Sequence, residues 1–214
     1  MKRRQAMKLT FGAAVGASLL RTGQLLAQET GTKAPVVEGS RIYLNPATGA
    51  DSNSGGKESP LKTLAEAARR VNQTDGTGPV TVILAEGAYA VNESALFKPL
   101  NRSFTKVDRL TIRAEVLPDD PEWSPQSMPV LIHTMSLSPT WMGRPDPFGG
   151  VSYGMQFETS HVSVQGLKIL GTPHLERPTA QAIRRVYPIA REGADLDDLE
   201  IKQCLFVGNR EVAE

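Results

Sequence analysis

Apolar and polar residues alternate along most of the chain, and this pattern predicts β-strands. Two segments, 161–171 (HVSVQGLKILG) and 198–208 (DLEIKQCLFVG), repeat one design of an alternating strand, a bend and a second alternating strand. The alignment matches apolar positions in pairs: Val162 with Leu199, Val164 with Ile201, Leu167 with Cys204, and Ile169 with Phe206. A repeated unit with one apolar face has to stack on its neighbours to bury that face.

Parts of the same pattern occur earlier, at 109–117 and at 79–89, where Glu86 and Gly87 form the bend. Two architectures fit such units: a sandwich of hairpins, or a solenoid of short parallel strands. Hairpins favour two-residue turns such as Asp-Gly, and the one Asp-Gly pair, Asp75-Gly76, precedes these strands. A bend of one or two residues within each unit rotates the chain without reversing it. The pattern therefore favours the solenoid.

One short helix is predicted over 63–71 (TLAEAARRV), with Thr63 as the N-cap and Glu66 at capping-box spacing. The loop before it, ATGADSNSGGKES, is rich in Gly, Ser, Asn and Asp. Such a loop could cradle a phosphate or a metal, but it lacks the Lys-Ser/Thr ending of a phosphate loop. We expect Asp51 and Asn53 to bond nearby backbone and turn the chain toward the helix.

The first 27 residues are typical of a signal peptide: a basic start, a short apolar core and a small residue, Ala27, at the expected cleavage point. Arg3-Arg4 resembles a twin-arginine signal, and an ordinary secretion signal is the alternative. Residues 28–40 are predicted to form a flexible leader, and 41–214 the folded domain. No later segment is long and apolar enough to span a membrane. We expect an exported protein, periplasmic or extracellular.

Composition excludes several classes of function. The 214 residues carry a net charge of +1 and only 6% aromatics, which argues against nucleic-acid binding. A single cysteine, Cys204, rules out an internal disulfide. The three histidines (His133, His161 and His174) are far apart in sequence, so no metal cluster is predicted.

The segments 42–71 and 80–91 resemble the start of bacterial right-handed parallel β-helix proteins of the pectate-lyase-like superfamily. In that family an opening strand, a G-x-D-S-N-x-G loop, P-x-x-T and a short helix precede a strand ending in G-x-Y. The matching residues are Gly49, Asp51, Ser52, Asn53, Gly55, Pro60, Thr63, Gly87 and Tyr89.

The resemblance implies an all-β, right-handed parallel β-helix (solenoid) with a short N-terminal capping α-helix. Residues 154–170 are then the three strands of one coil, 187–207 those of the next, and 95–117 belong to an earlier one. Gly166 falls at a tight corner, where some β-helices stack asparagines from successive coils. The equivalent residue in the last coil is Gln203, so no such asparagine ladder is visible in the sequence. Because the chain stops just after a strand, we expect it to be truncated at the C-terminus. The rival is a short protein whose open end pairs with a partner.

The resemblance also implies a polysaccharide or glycan as partner. Lyases of this fold use a Lys or Arg base, often with Ca²⁺ if the substrate is a uronate, and hydrolases use paired Asp or Glu. Candidate residues must point outward. Catalytic candidates are Lys168, Arg191 and Glu158; substrate-binding candidates are Gln156, Arg144, His174 and Arg177; further outward or loop candidates are Glu192 and Asp146.

No active-site motif of the family matches residue by residue, so the catalytic residues are unknown. The acidic run 195–200 (DLDDLE) could bind Ca²⁺, but a surface turn explains it more simply, because its oxygen donors do not alternate as in known calcium loops. A non-catalytic protein that binds glycans, or a structural surface protein, is the alternative function.

Overall fold

The computed structural model describes residues 41–135, 140–141, 144–145, 151–171 and 185–208. The predicted signal peptide and leader lie outside these ranges. The described elements are an α-helix, α1 (Leu64–Asn72), a short 3-10 helix (Pro125–Ser127), and the strands β1 (Arg41–Leu44), β2 (Val80–Leu84), β3 (Ala88–Val91), β4 (Ala95–Phe97), β5 (Leu110–Ala114), β6 (Val130–His133), β7 (Thr140–Trp141), β8 (Arg144–Pro145), β9 (Val151–Phe157), β10 (Val162–Gln165), β11 (Lys168–Leu170), β12 (Arg185–Arg191), β13 (Leu199–Lys202) and β14 (Leu205–Val207).

The chain passes through three parallel sheets in a fixed order. The five-stranded sheet is β1-β2-β5-β10-β13, the four-stranded sheet is β3-β6-β11-β14, and the three-stranded sheet is β4-β9-β12. One passage through all three sheets is called a circuit below. The first circuit is β2-β3-β4, the second β5-β6-β9 and the third β10-β11-β12, while β13 and β14 begin a fourth. The antiparallel ribbon β7-β8 lies within the second circuit.

Parallel pairing throughout the three sheets confirms a mostly β structure and rules out a sandwich of hairpins for the described strands. The observed register also confirms the repeat seen in the sequence. Val162 pairs with Leu199, and Val164 with Ile201. Ile169 pairs with Phe206 one sheet further on. Apolar alternation therefore located both the strands and their alignment correctly.

The core lies between the inner faces of the three sheets. Inward positions form columns across successive circuits, because parallel partners in register place their side chains on the same side. Val82, Ile112 and Val164 form one such column, and all three are fully buried. Phe97 and Phe157 form another and stack with ring centroids 5.1 Å apart. Burial of each such side chain contributes about 1.5–3 kcal/mol.

The inward columns become exposed at the fourth circuit. Ile201 continues the column of Val164 yet is 44% exposed, and Phe206 continues that of Ile169 yet is 48% exposed. Within the described part of the chain, no strand pairs with the far edge of β13 or β14.

The bend between the five-stranded and four-stranded sheets requires a left-handed backbone. Gly166 has φ +71°, and its equivalent Gln203 has φ +54°. A Cβ on Gly166 would lie 2.8 Å from Leu117 Cδ2, so both conformation and space favour glycine there. The tight corner predicted at Gly166 is therefore present.

The opening loop is tied to the start of the helix by one carboxylate. Asp51 accepts hydrogen bonds from the backbone N–H groups of Lys62 and Thr63 and from Thr63 Oγ1, at 2.8–3.0 Å. The side-chain amide of Asn53 donates to Pro60 O at 2.9 Å. Both residues act as the turn-formers that the sequence predicted.

The helix begins as predicted, with Thr63 Oγ1 accepting from Glu66 N at 3.2 Å. In a full capping box the Glu66 side chain would also accept a hydrogen bond from Thr63 N–H. Here Asp51 accepts that hydrogen bond, and Glu66 pairs with Arg69 and Arg70 instead. Partial burial alone would raise the pKa of Glu66, but hydrogen bonds from the two arginines lower it on balance.

The apolar side of α1 contacts β1, β3 and β4, which are the first strands of the three sheets. The helix buries Leu64, Ala67, Ala68 and Val71 at this end of the core. In the described ranges, no helix has the length and apolar character needed to cross a membrane.

Candidate functional site

The outer side of the three-stranded sheet carries a row of polar residues from successive circuits. In β9, Met155 and Phe157 are buried, so Gln156 between them points outward, as does Glu158 directly after the strand. The backbone ladder continues past the strand ends, with Glu158 N donating to Phe97 O and Glu192 N to Phe157 O. We call this surface the polar face; its members are Lys98, Gln156, Glu158 and Glu192.

One amide joins the two carboxylates of the polar face. Gln156 Nε2 lies 3.2 Å from Glu158 Oε1 and 3.3 Å from Glu192 Oε2. An amide nitrogen has two hydrogens, so it can donate to both carboxylates at once. Carboxylates from two successive circuits are therefore held within two hydrogen-bond lengths of each other.

A lysine from the preceding circuit completes the polar row. Lys98 Nζ lies 2.5 Å from Glu158 Oε2, and the Lys98 side chain is half exposed. The side chain of Glu158 is 23% exposed. Its Oε2 atom contacts the Lys98 ammonium, and its Oε1 atom accepts a hydrogen bond from the Gln156 amide.

Two tyrosines lie on the same strands as these groups. Tyr153 and Tyr187 occupy paired positions on β9 and β12. Their rings stack with centroids 5.5 Å apart and planes inclined by 16°. Tyr187 is 40% exposed, so an aromatic pair that solvent can reach lies on the same two strands as the polar face.

The sequence predicted Gln156, Glu158 and Glu192 as outward residues, and the structure brings all three together. Arg191 pairs in register with the buried Phe157 and so occupies a core-side position, exposed in the last strand of its sheet. Lys168 lies on β11 in the four-stranded sheet and not on the polar face. The side chain of Arg144 and the residues Asp146, His174 and Arg177 lie outside the described part of the chain.

Sequence reasoning missed Lys98, Tyr153 and Tyr187. A second repeat in the sequence would have identified these three residues. The segment 153–158 (YGMQFE) aligns with 187–192 (YPIARE), and 95–98 (ALFK) aligns with the last four residues of each. The tyrosines and the row of charged residues stand at equivalent positions in that alignment. The repeat of 161–171 and 198–208 contains only strands of the other two sheets.

A second polar cluster lies where the chain enters the five-stranded sheet. Asp198 Oδ2 contacts Arg109 Nη2 at 2.6 Å and His161 Nδ1 at 3.1 Å. Glu200 contacts Arg109 at 3.3 Å and Lys202 at 2.7 Å. Hydrogen bonds from His161 and Arg109 lower the pKa of Asp198, and the bond from Lys202 lowers that of Glu200.

A cleft of about 530 Å³ opens beside this cluster, lined by Lys106, Arg109, Asp197 and Asp198. Asp198 already contacts Arg109 and His161, which belong to two earlier circuits, so its direct effect is to link successive circuits. The same contacts occupy two of the four acidic residues in 195–200. Among the described residues, no group of three or more His, Cys, Asp or Glu is arranged to hold a metal ion.

A buried polar pair lies inside the core. His133 Nε2 is 2.8 Å from Ser152 Oγ, and both side chains are only 3% exposed. Burial lowers the pKa of His133. An adjoining cavity of about 10 Å³, lined mostly by apolar residues, has room for roughly one water molecule. This pair links β6 to β9 from within and does not form a substrate site.

Comparison with known proteins gives little further information. No family model matches the chain, and no curated protein matches it in sequence. One solved structure, a rhamnogalacturonan lyase, is similar at a TM-score of 0.45 and 18% identity; the match covers 79% of this chain and 38% of that one. The chain thus spans well under half of that protein's length, and a likeness at this level carries no argument about activity.

Proposed function

We propose that the chain forms a right-handed parallel β-helix whose polar face binds an extended polysaccharide. The cyclic order of the three sheets and their parallel, in-register pairing support this proposal. Stacked circuits repeat the same outward positions along one direction. A straight surface of this kind suits a polymer of repeating sugars better than a compact ligand.

The observation that carries the proposal is the Gln156 amide joining Glu158 and Glu192, on the strands that also carry the stacked tyrosines. Sugars present many hydroxyl donors and a weakly apolar C–H surface. Carboxylates accept hydrogen bonds from hydroxyl groups, and a tyrosine ring offers a flat apolar face with a polar tip. The neighbouring strands β9 and β12 carry both kinds of group.

The reaction best suited to this geometry is hydrolysis of a glycosidic bond. Glycosidases use two carboxyl groups: one protonates the leaving oxygen, and the other attacks the anomeric carbon or activates water. In this assignment Glu158 and Glu192 form the acid–base pair, and Gln156 positions them. Lys98 holds one oxygen of Glu158 and so orients that carboxylate.

Binding without turnover is the second candidate function, and one observation favours it. Lys98 and Gln156 together occupy both oxygens of Glu158. A carboxylate held in this way suits a fixed acceptor of hydrogen bonds more than a proton donor.

The two candidates differ in turnover. Purified mature protein should be incubated with neutral and acidic polysaccharides while reducing ends and unsaturated products are assayed. For hydrolysis we expect new reducing ends without ultraviolet absorbance, and a fall of at least about 100-fold in Glu158→Gln and Glu192→Gln. Glu115→Gln is the matched control, since Glu115 also pairs with a lysine, Lys57, but on another sheet. Binding with no product in any mixture would leave the non-catalytic function standing, and an absence of binding would refute both.

We further propose export by way of residues 1–27. The basic start with Arg3-Arg4 and the small residue Ala27 support this proposal. Cell fractionation and N-terminal sequencing of the exported protein test it, with a start near Gln28 expected. Replacement of both arginines by lysine should block export if the twin-arginine route is used. Retention of an intact N-terminus in the cytoplasm would contradict export.

A further inference from the structure

We propose that the polar face selects neutral polysaccharides and disfavours polyuronates. This inference rests on the proposed function and specifies its substrate class. It concerns the charge that a bound sugar meets at Glu158, Glu192 and Lys98, the three charged members of the polar face.

The charge balance of the polar face is acidic. Glu158 and Glu192 contribute two carboxylates from successive circuits, and both contact the same uncharged amide, Gln156. The ammonium of Lys98 is at 2.5 Å from Glu158 and is therefore largely neutralised by it. Glu192 has no cation among its described contacts, so its negative charge is not balanced by a described partner.

Within the described ranges, the neighbouring cations do not offset the negative charge of the polar face. Arg191 is next to Glu192 in sequence, but its register with Phe157 places it on the core side of the strand. Arg69 lies near the start of β4 and is engaged by Glu66 and Glu93. Lys168 belongs to a different sheet.

A polyuronate would bring a carboxylate on each sugar to a surface that already displays acceptors and negative charge. Like charges held a few ångströms apart repel, and the Lys98 ammonium and the Gln156 amide already contact carboxylates. A neutral sugar brings no such repulsion, and its hydroxyl groups can donate hydrogen bonds to the carboxylate oxygens. The charge of the polymer therefore discriminates between polyuronates and neutral polysaccharides.

The test is a binding comparison with a β-galactan, a mixed-linkage β-glucan, a xylan and polygalacturonate, by affinity electrophoresis and calorimetry at low and at moderate salt. For the wild type we expect at least one neutral polymer to bind about tenfold more tightly than polygalacturonate. The gap should narrow as salt screens the carboxylates. Each measurement is repeated with a chelator and with added calcium.

The double variant Glu158→Gln/Glu192→Gln keeps polar groups of similar shape and removes both charges. It should weaken neutral-polymer binding, because an amide accepts fewer hydrogen bonds than a carboxylate, and strengthen polygalacturonate binding, so that the preference for the neutral polymer is lost. Glu115→Gln should keep the wild-type selectivity. Circular dichroism checks that each variant is folded.

The outcomes separate the two proposals. Wild-type protein that binds polygalacturonate as tightly as any neutral polymer, with or without calcium, overturns the charge selection while polysaccharide binding stands. Unchanged selectivity in the double variant also overturns it. Failure of every polymer to bind refutes the proposed function itself.

Discussion

At the scale of single residues, Asp51 illustrates how a loop that looks suited to a ligand can be structural. Its two carboxylate oxygens accept three hydrogen bonds from Lys62 and Thr63. Those bonds hold the residue that caps α1. A carboxylate occupied in this way stabilises the helix start and has little capacity left for a ligand.

We predict that Asp51→Ala lowers the free energy of unfolding by about 2–3 kcal/mol, because bonds to a charged acceptor are lost at a half-buried position. Asp51→Asn should lose about 1 kcal/mol, since one oxygen acceptor remains. Ser52→Ala, at an exposed neighbour, should change stability by less than about 0.5 kcal/mol. Urea unfolding measures all three. Equal stability of Asp51→Ala and wild type would mean that Asp51 is not a structural residue.

The outward residues show what alternation alone can predict. Gln156 and Glu158 stand at polar positions between and after buried residues, so the sequence identified their direction. Their partners could not be found in the same way. Lys98 is 60 positions before Glu158 in the numbering, and Glu192 is 34 after it. Only the stacking of circuits brings the three together.

At the scale of elements, the contact between β6 and β9 contains a titratable group. His133 is buried against Ser152, and burial lowers its pKa. A histidine whose folded pKa lies below its unfolded value, about 6.5, binds protons more readily in the unfolded chain. Stability therefore rises with pH through this range and is lost as pH falls from about 6.5 toward the folded pKa.

We predict that unfolding free energy measured between about pH 8 and pH 5 falls less steeply for His133→Gln than for wild type. Glutamine can still bond Ser152 but does not titrate. Ser152→Ala serves as the control, because it removes the bond and leaves the titrating imidazole, so the slope should persist. A His133→Gln slope equal to that of wild type would show that other groups cause the acid sensitivity.

At the scale of the whole molecule, the value of an inward residue depends on the circuits on both sides of it. Phe157 has a stacked partner and is fully buried. Phe206 is also an inward phenylalanine, but it is 48% exposed in the fourth circuit. In a stack of similar units, stability is approximately a sum of unit and interface contributions.

The same substitution should therefore have unequal effects at these two positions. Phe157→Ala is predicted to cost about 3–5 kcal/mol through lost burial and a cavity. Phe206→Ala should cost about 1 kcal/mol or less, because nearly half of the ring is already in contact with solvent. Denaturant unfolding of both variants provides the comparison. Equal losses would show that residues 199–208 are covered in solution by something beyond the described strands.

The sequence by itself determined the local features: strands from alternation, the Thr63 helix start, the Gly166 corner and the register of 161–171 on 198–208. These follow from short-range geometry and from which residues avoid water. Tertiary structure decided which outward residues meet. In the folded chain, Glu158 and Glu192 contact one amide, and Lys98 contacts Glu158. Arg191 lies on the core side of its strand, and Lys168 lies on another sheet. Contacts between circuits depend on loop lengths and sheet order, which alternation within one strand does not encode.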